Sequence, residues 1–442
     1  VPAEALFSSL DGGAALRRRV LEELVIAGDL ARQSPVDLHV MAFALTDGAV
    51  ADLILELAAA RPALSVRVLA DWGQGSNGSG RVTPRLARAG LPNLAVRYKH
   101  DQPYVYDAGA DRIRWSYAAS RGLLHHKTLG VAVAGSPRTL VCGSFNWTGR
   151  GSRGYENLMV ITAGDGPSDR AMAAMEGEFA ALWTDGAASL SPSEAAAHHA
   201  AVLAEYRADP SRPAAAIVGI GAGDGAALPG ALPDPHPKTD PDDGSVTIAF
   251  SSRSPSDVLA GNGYATDNRS RRLDLHKPGG AIKSVPLTLT TLALDTITRA
   301  TPGDRLLVAM YGLSARVPEY GAMLDAARRG VRVLILLDRA VSEQQVARLG
   351  GVAARERLPI RVRSGVRTMH EKYVVHPESG TVLTGTANMS TDASGRHTEH
   401  RVRWRGESWL TARFLADFET IWGRLASPFA PAGHPGNGHT AT

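Results

Sequence analysis

The chain repeats itself, and that constrains its fold more than any other property. "ALFSSLDGG" returns as "IAFSSRSPS", which matches Phe7 to Phe250. "VDLHVMAFALTDGAVADLILELAAARPALSVRVLADW" returns as "DRLLVAMYGLSARVPEYGAMLDAARRGVRVLILLDRA", matching Met41 to Met310 and Asp71 to Asp338. Further on, "HHKTLGVAV" answers "HEKYVVHPE", "LVCGSFNWT" answers "VLTGTANMS", "GYENLMVI" answers "HTEHRVRW", and "EFAALW" answers "DFETIW". Blocks recurring in one order mean that one set of supersecondary units is built twice. In each copy an apolar strand, an amphipathic helix and a second apolar strand ending in Asp make a βαβ unit. The β-branched runs Val66–Leu69 and Val331–Leu337 read as its buried parallel strands.

The expected organisation is therefore an α/β chain of two similar lobes, 1–205 and 246–428. A Pro/Gly/Asp-rich linker spans 206–245 and a loose tail 429–442. The lobes differ by insertions. Asp71 and His125 are 54 residues apart, Asp338 and His370 only 32. The longer connection carries Tyr104, Tyr106, Trp115 and Tyr117, which either line a stacking pocket or pack the loop itself. The second lobe has its extra length between Phe250 and Met310. Long loops on a repeated scaffold are where binding concentrates.

Of the 48 basic residues only six are lysines, and two stand at matched positions. Side chains alternate along a strand. His125 and Lys127 therefore share a face and His126 points away. In the second copy His370 and Lys372 share a face and Glu371 points away. The middle position varies, so His126 reads as a bystander. Each His-x-Lys is followed by a strand ending in Gly143-Ser144-Phe145-Asn146 or Gly385-Thr386-Ala387-Asn388. Glu156 and Glu399 follow their asparagines by ten and eleven residues. Each copy thus offers an imidazole, a fixed cation, neutral donors (Asn146 with Ser144, Asn388 with Thr386) and a carboxylate.

These groups suit phosphodiester cleavage. Cations and neutral donors stabilise the charge on phosphoryl oxygens. One imidazole attacks phosphorus while the other protonates the leaving oxygen. A carboxylate or carbonyl on each far ring nitrogen fixes the tautomer, and Glu156 and Glu399 are the candidates. The lysines do what a metal would do, and matched lysines do not suit a cation site.

His-x-Lys followed by Gly-Ser/Thr-x-Asn, twice in one chain, resembles the phospholipase D superfamily over most of the chain. The resemblance implies two lobes with mixed β-sheets flanked by helices, related by a pseudo-twofold axis, with the active site at their interface. It implies a covalent phosphohistidine and no metal or other cofactor. Carried over by position, the catalytic residues are His125, Lys127, Asn146, His370, Lys372 and Asn388, supported by Ser144, Thr386, Glu156 and Glu399. By analogy His125 is the nucleophile. The family's Asp, five residues after the Lys, is replaced by Ala132 and Pro377. Tyrosyl-DNA phosphodiesterases in the same superfamily also lack it, so a structural role is expected for it and the substrate is left open. A phospholipid, whose head group is hydrolysed or transferred, is the favoured partner. A nucleic acid is the alternative, and a catalytically inert phosphate-binding scaffold the third reading.

Composition sets the remaining bounds. The 44% hydrophobic and 21% charged content is that of a globular protein. No 18-residue apolar run predicts a transmembrane helix. The net charge of +4 suits an anionic ligand without demonstrating nucleic-acid binding. The single cysteine, Cys142, excludes an internal disulfide and sits in an apolar strand, where it reads as core. A chain beginning at Val1 suggests a removed leader and hence secretion. A monomer is expected.

Overall fold

The structure, a computed structural model, describes residues 3–76, 82–99, 104–115, 123–149, 151–164, 166–184, 189–211, 246–251, 265–267, 272–276, 282–286, 288–365, 367–390, 393 and 397–425. Most of the expected linker, the tail and Tyr117 lie outside these residues.

The first lobe is built on an eight-stranded mixed sheet. Its strands are β1 (Ala3–Phe7), β2 (Val36–Ala42), β3 (Leu64–Asp71), β4 (Leu94–Lys99), β7 (Lys127–Val133), β8 (Ser136–Gly143), β9 (Asn157–Thr162) and β10 (Ser189–Leu190), with β5 (Tyr104–Asp107) and β6 (Arg112–Trp115) forming a separate hairpin. The spatial order is β1-β9-β8-β7-β2-β3-β4-β10. The second lobe has β11 (Val246–Phe250), β15 (Arg305–Met310), β16 (Arg332–Asp338), β17 (Ile360–Gly365), β18 (Lys372–His376), β19 (Thr381–Gly385) and β20 (His400–Arg405), in the order β11-β20-β19-β18-β15-β16-β17. The two orders are the same arrangement, strand for strand, apart from the extra edge strand β10. β2 and β3 pair in parallel, as do β15 and β16, which are the βαβ units legible in the repeat.

The insertions hold regular structure where a loop was expected. The hairpin β5–β6 occupies the first, and a three-stranded meander β12 (Ala265–Asp267), β13 (Arg272–His276) and β14 (Ile282–Pro286) the second. Tyr106 packs rather than lining a pocket. Its ring stacks on Tyr206 at 5.3 Å and its hydroxyl donates to Asp111 at 3.0 Å. Tyr206 belongs to the helix Pro192–Ala208, which opens with a reciprocal Ser191–Glu194 capping box and continues past residue 205.

Each sheet covers an outer core of its own. Helices Gly13–Leu30 and Gly48–Ala60 close one, and Pro318–Arg328 and Arg339–Glu356 the other. Between the sheets lies a third core shared by both lobes. Phe7, Met41, Met159 and Phe179 of the first meet Phe250, Tyr373, Trp404, Phe414 and Phe418 of the second. Helices Gly166–Thr184 and Ser408–Arg424 supply this layer. Trp183 and Trp422 flank it at equivalent positions, stacked on Phe179 and Phe418 and covered by Arg97 and Arg363. Cys142 is buried in it, and burial pushes its thiol up to about 12. Among the described residues no helix is long and apolar enough to cross a membrane.

One repeat match is out by a residue. Lys127 pairs with Ala42, whereas Lys372 pairs with Met310. The structural partner of Met310 is therefore Ala42, and Phe43 corresponds to Tyr311. The bridges Leu45–Trp147 and Leu313–Met389 keep the same phase. Two methionines in neighbouring apolar positions had invited the wrong alignment.

Candidate active site

The site is assembled where the two sheets meet. Short stretches just before β7 and β18 reach across the interface. Leu124 bridges to Thr398 and Met369 to Tyr155. The His125 N–H donates to Thr398 O at 2.9 Å, and the His370 N–H to Tyr155 O at 3.0 Å. A residue of one lobe contacting its counterpart's neighbour, and the reverse, is the signature of an isologous interface.

Two matched aspartates aim these stretches. Asp71 Oδ2 accepts from Leu124 N at 2.9 Å, and Asp338 Oδ2 from Met369 N at 3.0 Å. The other oxygen of Asp338 caps the helix Arg339–Glu356. The repeat showed both aspartates but gave them no task.

The histidine carboxylates are exchanged between lobes. His125 Nδ1 lies 2.8 Å from Glu399, and His370 Nδ1 lies 2.9 Å from Glu156. Each Nε2 is thereby left as the reactive nitrogen. Lys127 and Lys372 each donate to the carbonyl of their own histidine, at 2.7 and 2.6 Å. They also stand over the Phe43 and Tyr311 rings, which in turn contact the His125 and His370 rings at 4.8 and 4.9 Å. The one-residue slip had hidden this aromatic pair.

The Gly of each Gly-Ser/Thr-x-Asn motif has a steric cause. Gly143 and Gly385 hold φ of 142° and 148°. A Cβ would come within 2.6 Å of Asn157 O at the first and 2.3 Å of His400 O at the second. Ser144 donates to Glu156 at 2.6 Å, and Thr386 accepts from His400 N at 3.1 Å. Asn388 Oδ1 accepts from Gly312 N at 3.1 Å, leaving its NH₂ group as a donor. Asn146 Oδ1 is buried without a hydrogen-bond partner. Ser8 and Ser251, matched by the repeat but given no role there, hold the two glutamates in place: each hydroxyl oxygen accepts the backbone N–H of a site glutamate at 2.9 Å.

The histidines, lysines and glutamates of both lobes come together here with Ser144, and their charges interact across the lobes. Burial and Lys372 lower Lys127 to about 7. Burial lowers Lys372 to about 8, against the pull of Glu156 and Glu399. Burial takes His125 to about 3 and His370 well below its usual value, with both lysines adding to the effect. The carboxylates diverge. Burial lifts Glu156 to about 8. Burial also acts on Glu399, but His125 and His397 outweigh it and hold that carboxyl below the usual carboxylate range. One carboxyl is a fixed anion, while the other shares a proton with its histidine near neutral pH.

His126 and Glu371 face away from this cluster, as strand alternation requires, and into the shared core. His126 Nδ1 lies 2.9 Å from His400 Nδ1, with the rings stacked, and its Nε2 lies 3.6 Å from Glu178. Glu371 lies against Asp417, which also takes the hydroxyls of Ser9 and Tyr373. Glu178 and Asp417 are the matched residues that open "EFAALW" and "DFETIW". His126 is outside the chemistry but is a member of the lobe interface.

Ala132 is buried at a β-bulge, and Pro377 opens a 3₁₀ turn. Five residues along a strand from the lysine is about 16 Å, so the family's missing Asp would not reach the reacting groups. Among the described residues only Asp304, His376 and Glu378 cluster as metal ligands do. They lie at the far end of β18, where Asp304 is engaged by Thr301 and Glu378 by Arg305.

Residues 293–422 match the family described as "Cardiolipin synthase, PLD-like domain". No curated protein sequence gives a significant match. Among solved structures, the phosphatidylserine synthase of Haemophilus influenzae Rd KW20 is similar at a TM-score of 0.58 and 14% identity, over 95% of this chain and 86% of that one. The phospholipase D family member Nuc of Salmonella typhimurium matches 40% of this chain and 94% of its own, at a TM-score of 0.29 and 22% identity. The second lobe carries the family match, and the first lobe repeats its fold and its His-x-Lys motif.

Proposed function

We propose that this protein cleaves phosphodiesters through a phosphohistidine and that its substrate is a phospholipid head group. The observation that carries the chemistry is the unequal pair of cross-lobe His–Glu contacts facing two buried lysines. Glu399, as an anion, holds the Nδ1 proton of neutral His125 and leaves the Nε2 lone pair free to attack phosphorus. The P–O bond to the head group breaks. The proton shared by Glu156 and His370 passes through His370 to the departing oxygen. Water then attacks phosphorus and gives a proton to His370, and the N–P bond breaks, which restores His125. Lys127, Lys372, Asn146 and Asn388 hold the phosphoryl oxygens, whose charge is largest in the transition state. An alcohol in place of water makes the same step a transfer.

The lipid reading draws support from the family described for cardiolipin synthase. The test is a substrate panel of phospholipid vesicles, single- and double-stranded oligonucleotides and simple phosphodiesters, with and without ethanol and with and without a chelator. Release of head group with phosphatidic acid, phosphatidylethanol when ethanol is present, and indifference to chelator are expected. Cleavage of nucleic acid alone, at low salt, would replace this reading with that of a nuclease.

A further inference from the structure

The corner that carries Asn388 is built differently from the corner that carries Asn146. Arg401 lies opposite Gly385 in the sheet, as Leu158 lies opposite Gly143, so the two are structural equivalents. The Arg401 side chain is 3% exposed. Its Nη2 donates to the Asn388 carbonyl at 3.0 Å, and its Nη1 to Leu289 O at 2.8 Å and Glu319 Oε1 at 3.1 Å. Glu319 is fully buried in the first turn of the helix Pro318–Arg328. It stands six residues after Leu313, and Ala51 stands six residues after the matched Leu45. Leu158 and Ala51 both sit in the outer core of the first lobe. Where one lobe has a buried ion pair the other has two apolar side chains, and the same sheet and helix form around both.

A buried ion pair is a weak source of stability, and here the second oxygen of Glu319 is buried without a hydrogen-bond partner. What the pair adds is a charged donor on Asn388. The side chain of Asn388 is held as well. Its Oδ1 accepts from Gly312 N, next to the Tyr311 ring that lies 4.9 Å from the His370 ring. Among the described residues Asn146 has neither restraint: its carbonyl accepts from the nearby Thr148 N at 2.8 Å, and its Oδ1 has no partner.

We propose that Arg401 and Glu319 are positioning residues for Asn388. Glu319 fixes the guanidinium, the guanidinium fixes the Asn388 backbone, and the Asn388 NH₂ group is thereby presented in one orientation. This rests on the phosphodiesterase reading above, in which that group donates to a phosphoryl oxygen. Preorganised donors stabilise charge that develops in the transition state, so a loosened donor lowers kcat more than it raises KM.

The test gives the second lobe the residues of the first. Arg401→Leu with Glu319→Ala removes both charges at once, so that neither is left buried alone. Arg401→Met with Glu319→Gln, closer in shape, takes its place if thermal unfolding shows the first variant not to fold. On a cleaved substrate kcat is expected to fall about tenfold with KM nearly unchanged, part of the about 10²–10³-fold that one such donor supplies. In an Asn388→Ala background the same double change should cost nothing more. A reading that needs no substrate is the Asn388 side-chain amide in NMR of the full-length protein, assigned by its loss in Asn388→Ala. One sharp pair of signals is expected in wild type and broadened or doubled signals in the double variant. Unchanged kcat with an unchanged amide in a folded double variant would overturn the proposal, as would an equal loss of kcat in the Asn388→Ala background. If wild type cleaves no phosphodiester, the amide decides: a changed amide keeps the positioning role and removes the enzymatic reading, and an unchanged one removes both.

Discussion

His125 and His370 occupy copied positions, yet the carboxylates they face differ, and the proposed mechanism gives the two histidines different work. Replacing either with Ala should lower turnover by about 10²–10⁴-fold. The pattern separates them. With a substrate whose leaving group needs no proton, His370→Ala should still become phosphorylated and then stall, which intact mass spectrometry would detect as a persistent adduct on His125. An adduct on His370 in the His125→Ala protein would reverse the assignment. Turnover should also fall as pH rises through 7 to 8. There the Lys127 and Lys372 ammonium groups and the proton of the Glu156–His370 pair are lost, and all three act in their protonated forms. A pH–rate profile flat to pH 9 would contradict this.

Among the elements, β8 and β19 end at glycines whose backbone no other residue adopts comfortably. Gly143→Ala and Gly385→Ala should each destabilise the fold by about 1–3 kcal/mol, and by more where the Cβ clash is not relieved, measurable by denaturant unfolding. The βαβ units, the strand faces and the paired His, Lys, Asn and Glu positions were legible because they recur. Three things were not. The Phe43–Tyr311 pair was masked because a one-residue slip between Met41 and Met310 costs nothing in hydrophobicity. The exchange of Glu156 and Glu399 between lobes depends on how two sheets dock, which neither repeat encodes alone. The regular structure in the insertions has no second copy to reveal it.

At the scale of the molecule, the layer between the sheets is held by polar as well as apolar contacts. Burial and the neighbouring Asp417 push the Glu371 carboxyl well up. The folded protein therefore keeps a proton that the unfolded chain has released. The stability tied to that proton is whole below the unfolded pKa and declines as pH climbs toward the folded one. Glu371→Gln keeps the shape without needing the proton. It should raise Tm at pH 8 by on the order of 2 °C and by less at pH 5; an equal gain at both pH values would mean that titration is not the cause.

The exchange of glutamates also bears on the order in which the chain is made. A nascent chain folds from its N-terminus as it leaves the ribosome. When its first lobe is complete, His125 and Lys127 are already present, but the carboxylate that orients His125 is Glu399, far from having been synthesised. Glu156 meanwhile waits for His370. On the proposed mechanism the first lobe alone would therefore lack the carboxylate that orients His125, and the site would be complete only once nearly the whole polypeptide has emerged.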